Sequence, residues 1–236
     1  MNATHNFGMP SMPPLPAALA SGLRPPEPRP GKRERTRLQL VEAAIKVFSA
    51  RGVAGSTVQE IASVAGMTTG TFYNHFNTRD DLTRAVAATL MHTLCERIAE
   101  SFEHVAEGAE RMAIGQRRYM WLARESPAWA LLLMDVSAVA PELIAGIRSY
   151  VLADLRLGVR QKSFRITTED AALDMIQGAT SLAIRRIATG QARDKHDIAT
   201  ATMVLRGLGM PAGEAAEVAR RPLPPLGVEA ISATRR

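Results

Sequence analysis

Between residues 32 and 220, apolar positions recur at helical spacing almost without a break, and no stretch alternates with the period of two that marks a strand. Val41, Ala44, Ile45 and Phe48 stand at i, i+3, i+4 and i+7, which gives a helix over 32–51 one apolar face, and Gly52 stops it. Short helices are expected over 57–64 and 68–75, joined through Ala65-Gly66-Met67, followed by a long helix over 79–105. Gly108, Ser126-Pro127 and Ala140-Pro141 punctuate further helices over 110–124, 127–138 and 141–162. The pattern continues over 168–189, 194–208 and 212–220, the last set off by Gly209-Met210-Pro211. The fold class is all-α.

Outside this helical stretch proline takes over. Pro10, Pro13, Pro14, Pro16, Pro25, Pro26, Pro28 and Pro30 remove backbone donors and favour extended neighbours, predicting a disordered arm over 1–31. Pro222, Pro224 and Pro225 predict a second flexible tail over 222–236.

Residues 56–76 carry the most chemical information. Thr57 and Glu60 have the spacing of a capping box, so a helix starts there. Val58, Ile61, Ala62 and Ala65 form its inward face; Gly66 suits the left-handed backbone of a tight turn. Thr68 caps the next helix, whose Phe72 and Phe76 point inward, leaving Thr69, Gly70, Thr71, Tyr73, Asn74 and His75 outside. Small polar residues at the N-terminal end of such a helix fit a DNA major groove, where acidic ones would be repelled. This gives a three-helix helix-turn-helix domain over 32–78, followed by a second, α-helical domain over 79–221.

Charge agrees with that placement. The chain of 236 residues carries a formal net charge of +6, which favours an acidic partner. Arg24, Arg29, Lys32, Arg33, Arg35 and Arg37 crowd just before and inside the first helix. Arg24 and Arg29 have two readings, minor-groove or phosphate contacts and a solvated tail; the helix holds Arg33 and Arg37 closer to the motif. No apolar run is long enough to cross a bilayer and no signal-peptide pattern opens the chain, so a cytoplasmic protein with no membrane partner is expected. The single cysteine, Cys95, excludes an internal disulfide and reads as a small core residue. His75 has no second ligand at metal spacing; no metal, no cofactor and no catalytic residue are expected, since no GxSxG, Walker, HExxH or CxxC pattern is present.

The run ThrValGlnGluIleAla, AlaGly, ThrThrGlyThrPheTyrAsnHisPhe and the AspAspLeu that opens the next helix resemble the TetR family of transcriptional regulators over about 33–90. Arg79 stands where members usually carry Lys, and Thr69 where a longer side chain is common. The resemblance implies phosphate contacts from Thr57, Tyr73, His75 and Arg79, and base-edge contacts from Gln59, Thr69, Gly70, Thr71 and Asn74, with Thr68 at the same surface. Tyr73 as a partly buried core residue is the other reading of that position.

The helix over 168–189 confines its polar residues to one stripe: Asp170, Asp174, Gln177, Ser181 and Arg185. It must therefore be covered on more than one side, and the resemblance implies that it pairs with the 194–208 helix and their symmetry mates in a homodimer. The expected interface is Ala172, Met175, Ala179, Leu182, Ile198, Ala201 and Leu205. Dimers place two recognition helices about 34–36 Å apart. Leu82, Val86, Leu90, Leu94, Ile98 and Phe102 recur every four residues along 79–105, so this connecting helix packs first on the head and then on the regulatory domain, as a lever. A pocket for a largely apolar small-molecule effector is expected around Met112, Trp121, Trp129, Met134, Tyr150 and Phe164. Two functions fit these features: a repressor released from a palindromic operator by that effector, and an architectural or protein-interaction module that grips DNA without reading it.

Overall fold

The computed structural model describes residues 15–21, 23 and 31–226, and the described residues contain helices and no strand. In order they are α1 (Ala17–Ala20), α2 (Lys32–Arg51), α3 (Val58–Val64), α4 (Thr69–Tyr73), α5 (Arg79–Ser101), α6 (Gly108–Glu125), α7 (Pro127–Val139), α8 (Pro141–Arg160), α9 (Glu169–Ala188), α10 (His196–Gly207) and α11 (Ala212–Arg220). Arg24 and Arg29 lie outside the described residues, as do most of the expected arm and the tail from 227 on.

The chain forms two compact units, with the division inside α5 between Ala88 and Thr89. The first contains α2, α3, α4 and the first half of α5. Leu40, Val41, Ala44, Ile45 and Phe48 from α2, Ile61 and Ala62 from α3, and Phe72 and Phe76 are all buried. So are Leu82 and Val86, which puts apolar surface of early α5 under cover. Gly66 takes φ +69° in the turn between α3 and α4, a conformation that a side chain would strain. The α5 helix ends earlier than its apolar row: Ser101 turns its hydroxyl onto the Ile98 carbonyl, and Phe102 N–H bonds back to Ala99 in a tighter turn.

The second unit is built around α6, which touches each of α7, α8, α9, α10 and α11. Met112, Leu155, Phe164, Leu173, Ile176, Leu205 and Val218 belong to one buried cluster. α6 and α8 meet at glycine: a Cβ on Gly108 would lie 2.4 Å from the Gly158 nitrogen, and one on Gly158 would lie 2.2 Å from the Phe164 ring. Gln161 ties the same crossing by accepting from Gly108 N–H at 2.8 Å and donating to the Ala106 carbonyl at 2.7 Å.

The ends of the helical stretch differ from the arm and tail expected of them. α1 forms within the proline-rich arm, and Leu19 is 1% exposed. At the other end Leu226 is 1% exposed, Arg117 donates to the Arg221 carbonyl at 2.7 Å, and Arg118 donates to the Pro224 carbonyl. Proline removes donors but keeps its carbonyl, so a proline-rich segment remains a good acceptor for buried guanidiniums. Asp197 anchors this corner between Arg117, at 3.1 Å, and Arg124, at 3.0 Å. Burial alone would raise its carboxyl; the two guanidiniums outweigh that and hold it below the usual carboxylate range.

Candidate nucleic-acid interface and ligand cavity

The first unit presents α4 on a fixed platform. Thr57 and Glu60 close a reciprocal capping box at the start of α3: Glu60 N–H donates to Thr57 Oγ1 at 3.2 Å, and Thr57 N–H donates to Glu60 Oε2 at 3.1 Å. Arg51 pairs with the same carboxylate, tying the end of α2 to α3. Thr68 accepts from Thr71 N–H at 3.1 Å, and its hydroxyl also lies 3.1 Å from that of Thr71. On this platform Gln59, Thr68, Thr69, Gly70, Tyr73 and Asn74 are exposed, with Thr71 and His75 half-buried. Tyr73 is 56% exposed and sets its ring edgewise on Phe72 with centroids 5.2 Å apart, so the core reading of that residue fails.

Arg79, expected to meet a phosphate, has one guanidinium nitrogen engaged inside its own unit. Its Nη1 donates to the carbonyls of Ser56, at 3.0 Å, and Val53, at 3.3 Å, bracing the loop that enters α3. The start of α5 is likewise occupied: Asp81 N–H donates to Thr78 Oγ1 and Thr78 N–H to Asp81 Oδ2. Among the cations near the motif, Arg33 is exposed, and Arg37 lies over the Phe76 ring at 5.2 Å with Glu34 3.7 Å away.

The second unit holds a partly open cavity of about 350 Å³ walled by the later part of α5 and by α6, α7, α8 and α9. Met112, Met134 and Tyr150 stand in its wall as expected; Trp121, Trp129 and Phe164 do not. Trp129 is fully buried, Phe164 is held against Gly158, and Trp121 lies beside the Arg118 guanidinium. Trp129 and Phe164 are taken up in packing and Trp121 is half-buried, while Leu94, Ile98 and Phe102 of the connecting helix supply apolar wall instead.

The wall also carries polar groups that the apolar pattern does not announce. Gln116 and Ser137 are both 4% exposed, and the Gln116 amide nitrogen and oxygen and the Ser137 hydroxyl have no hydrogen-bond partner among the described residues. The sequence holds a signal for them: Gln116 interrupts the apolar row Met112, Gln116, Met120, and Ser137 extends the row Ala130, Leu133, Met134. Gln177, Ser181 and Arg185 of the polar stripe on α9 also line the cavity. Cys95 Sγ lies 2.9 Å from the Tyr119 hydroxyl. Burial pushes the Cys95 thiol up and the Tyr119 hydroxyl well up, so both are neutral at pH 7.

The face expected to meet a second copy is partly redrawn. Ala172, Ala201 and Leu205 are buried within their own unit, because α9 and α10 turn these positions into the core cluster. Met175, Ala179 and Ile198 are half-buried, and Leu182 is 71% exposed, joined by Met203 at 61%.

A capped helix-turn-helix with an exposed second helix, continuing through α5 into an all-helical unit that holds a cavity, defines a helix-turn-helix transcriptional regulator. Residues 40–86 match the bacterial regulatory proteins of the tetR family, and residues 107–221 match the tetracyclin repressor-like C-terminal domain. RolR in complex with its ligand resorcinol is similar at 30% identity and a TM-score of 0.73, covering 83% of this chain and 98% of that one. RolR without ligand matches at 28% identity and a TM-score of 0.69, covering 80% and 99%. The HTH-type transcriptional regulator TtgR of Pseudomonas putida is 38% identical over 77 residues, which are 33% of this chain and 33% of that protein. The match thus spans about a third of the length of such curated relatives. The chain belongs to the TetR family. Among the described residues no helix is long and apolar enough to cross a membrane, and no cluster of side chains suits a metal.

Proposed function

We propose that this protein is a dimeric repressor that holds a palindromic operator through paired heads and releases it when a small, largely apolar molecule fills the cavity. The observation that carries this reading is the exposed face of α4, where Thr69, Gly70, Tyr73 and Asn74 stand clear on a helix capped by Thr68 and following the Thr57-capped α3. Gln59, Thr69, Gly70, Thr71 and Asn74 read base edges; Thr57, Tyr73, His75 and the exposed Arg33 meet phosphates. Arg79 acts through the backbone it braces.

Pairing is supported by Leu182 and Met203, large apolar side chains left open on neighbouring helices. A second copy covers them, and the dimer sets the groove spacing of the two heads. Effector control is supported by the cavity and by the resorcinol held in RolR. The α5 helix runs from the first unit into the second, so a cavity occupant that shifts its later half has a continuous path to the head. Acting on chromosomal DNA, the protein works in the cytoplasm.

Affinity for the duplex upstream of its own gene, compared with a shuffled duplex across a salt series, tests the reading. The expected result is at least about a thousandfold preference at physiological salt. Equal affinity for both would favour an architectural module that grips DNA without reading it.

A further inference from the structure

The cavity has a distinctive balance of charge and hydrogen bonding. Each charged group in its wall already has an opposite partner: Arg111 holds Asp154 at 2.7 Å, Arg185 holds Asp135 at 2.9 Å, and Arg148 holds Asp170. A charged occupant finds no unpaired counter-ion in this wall: Arg111–Asp154 is the sheltered pair, and Arg148 and Arg185 are paired at exposed positions. The rest of the wall is mostly apolar, its neutral polar groups including the Cys95–Tyr119 contact and Gln177, Thr180 and Ser181 of α9. Against that background Gln116 and Ser137 stand out, because a buried amide or hydroxyl left without a partner is costly and uncommon. The amide of Gln116 has both a donor and an acceptor to give, and Ser137 can serve as either.

We infer that the cavity selects an uncharged, largely apolar molecule bearing a group that both donates and accepts hydrogen bonds, received by Gln116 and Ser137. A carboxamide or a hydroxyl on an aromatic or alicyclic body has this chemistry. A pure hydrocarbon of the same shape leaves both side chains unpaired, and a carboxylate offers no donor to the Gln116 carbonyl. The inference rests on the cavity being the effector site proposed above, and it concerns the chemistry of the occupant rather than the effect of that occupant on DNA binding.

Calorimetric titration of the full chain with 2-naphthamide, 2-naphthoate and 2-methylnaphthalene tests it, since the three share a body and differ in one group. The expected order puts the amide about tenfold or more ahead of both others, the worth of one or two buried hydrogen bonds. Gln116→Met removes that preference, so that amide and hydrocarbon bind alike, and the unliganded variant melts at or above the wild-type temperature. Ser137→Ala reduces the preference independently and serves if Gln116→Met does not fold. Tightest binding by the carboxylate, equal binding by all three, binding by none, or an unchanged preference in both variants overturns the inference. DNA affinity measured on the same samples separates the two claims: an amide preference with no weakening of DNA binding leaves this inference standing and contradicts effector release.

Discussion

The guanidinium of Arg79 donates to the carbonyl of Ser56 at 3.0 Å, joining the first residue of α5 to the loop that leads into α3. The same nitrogen reaches the Val53 carbonyl, which also accepts from the Ser56 hydroxyl at 2.7 Å. One side chain thus satisfies backbone acceptors at the turn before the first helix of the motif, and so helps to set the orientation of that helix.

Replacing Arg79 by Met takes its donor from the Ser56 carbonyl, while the Val53 carbonyl keeps the Ser56 hydroxyl, and stability in urea falls by on the order of 1–3 kcal/mol. DNA affinity falls with it, while the slope of log K against log salt stays as in wild type. A residue that neutralises a phosphate behaves otherwise, and its loss reduces the slope by about 1. A reduced slope in Arg79→Met would restore the phosphate role.

Asp197 predicts a definite pH dependence. Its carboxyl is held below the ordinary range of about 3.9. The stability that it contributes is therefore full above that value and is lost as pH falls through the lower, folded one. Asp197→Asn is expected to cost on the order of 3 kcal/mol at pH 7, with the gap closing as the pH falls below the ordinary carboxylate range and through the lower, folded value. Denaturant midpoints of both proteins across that range give the answer; a gap independent of pH would mean that the Arg117 and Arg124 pairs contribute through shape alone.

Much of the head was legible in the sequence, and less of the second unit. The capping box at Thr57 and Glu60, the turn at Gly66 and the cap at Thr68 are local devices, decided within a few residues, and each forms in the structure. The roles of Ala201 and Leu205 depend on which side of α10 meets α6, and nothing in their spacing states it. Trp129 and Phe164 invite a ligand reading because they are large and apolar, the same property that sends such residues into close packing. Gln116 is the better pointer, a polar side chain in an apolar row.

The glycine crossing of α6 and α8 is expected to tolerate no side chain. Gly158→Ala sets a methyl against the Phe164 ring and, through the resulting shift, disturbs the contact with Gly108, for a loss of about 1–3 kcal/mol. Phe164→Leu in the same chain returns part of it, and a double-mutant cycle measures the coupling. Additive effects would place the cost elsewhere.

Leu182→Glu combined with Met203→Glu puts like charges on the face proposed to pair, so sedimentation should give a monomer where wild type gives a dimer. Both side chains are mostly exposed in one chain, so the fold of the variant is expected to persist. Its DNA affinity drops steeply because each head then binds alone. An unaltered dimer would move the interface off α9 and α10.

Selection of bound duplexes from a random-sequence library by the wild-type protein bears most directly on the central claim, that the exposed face of α4 reads DNA as half of a pair. The predicted result is enrichment of a palindrome whose half-sites lie about one helical turn or a multiple apart. Substituting Asn74 or Thr69 should change the preferred bases within each half-site without changing the spacing. A library that emerges without enrichment, bound no better than the starting pool, would contradict it.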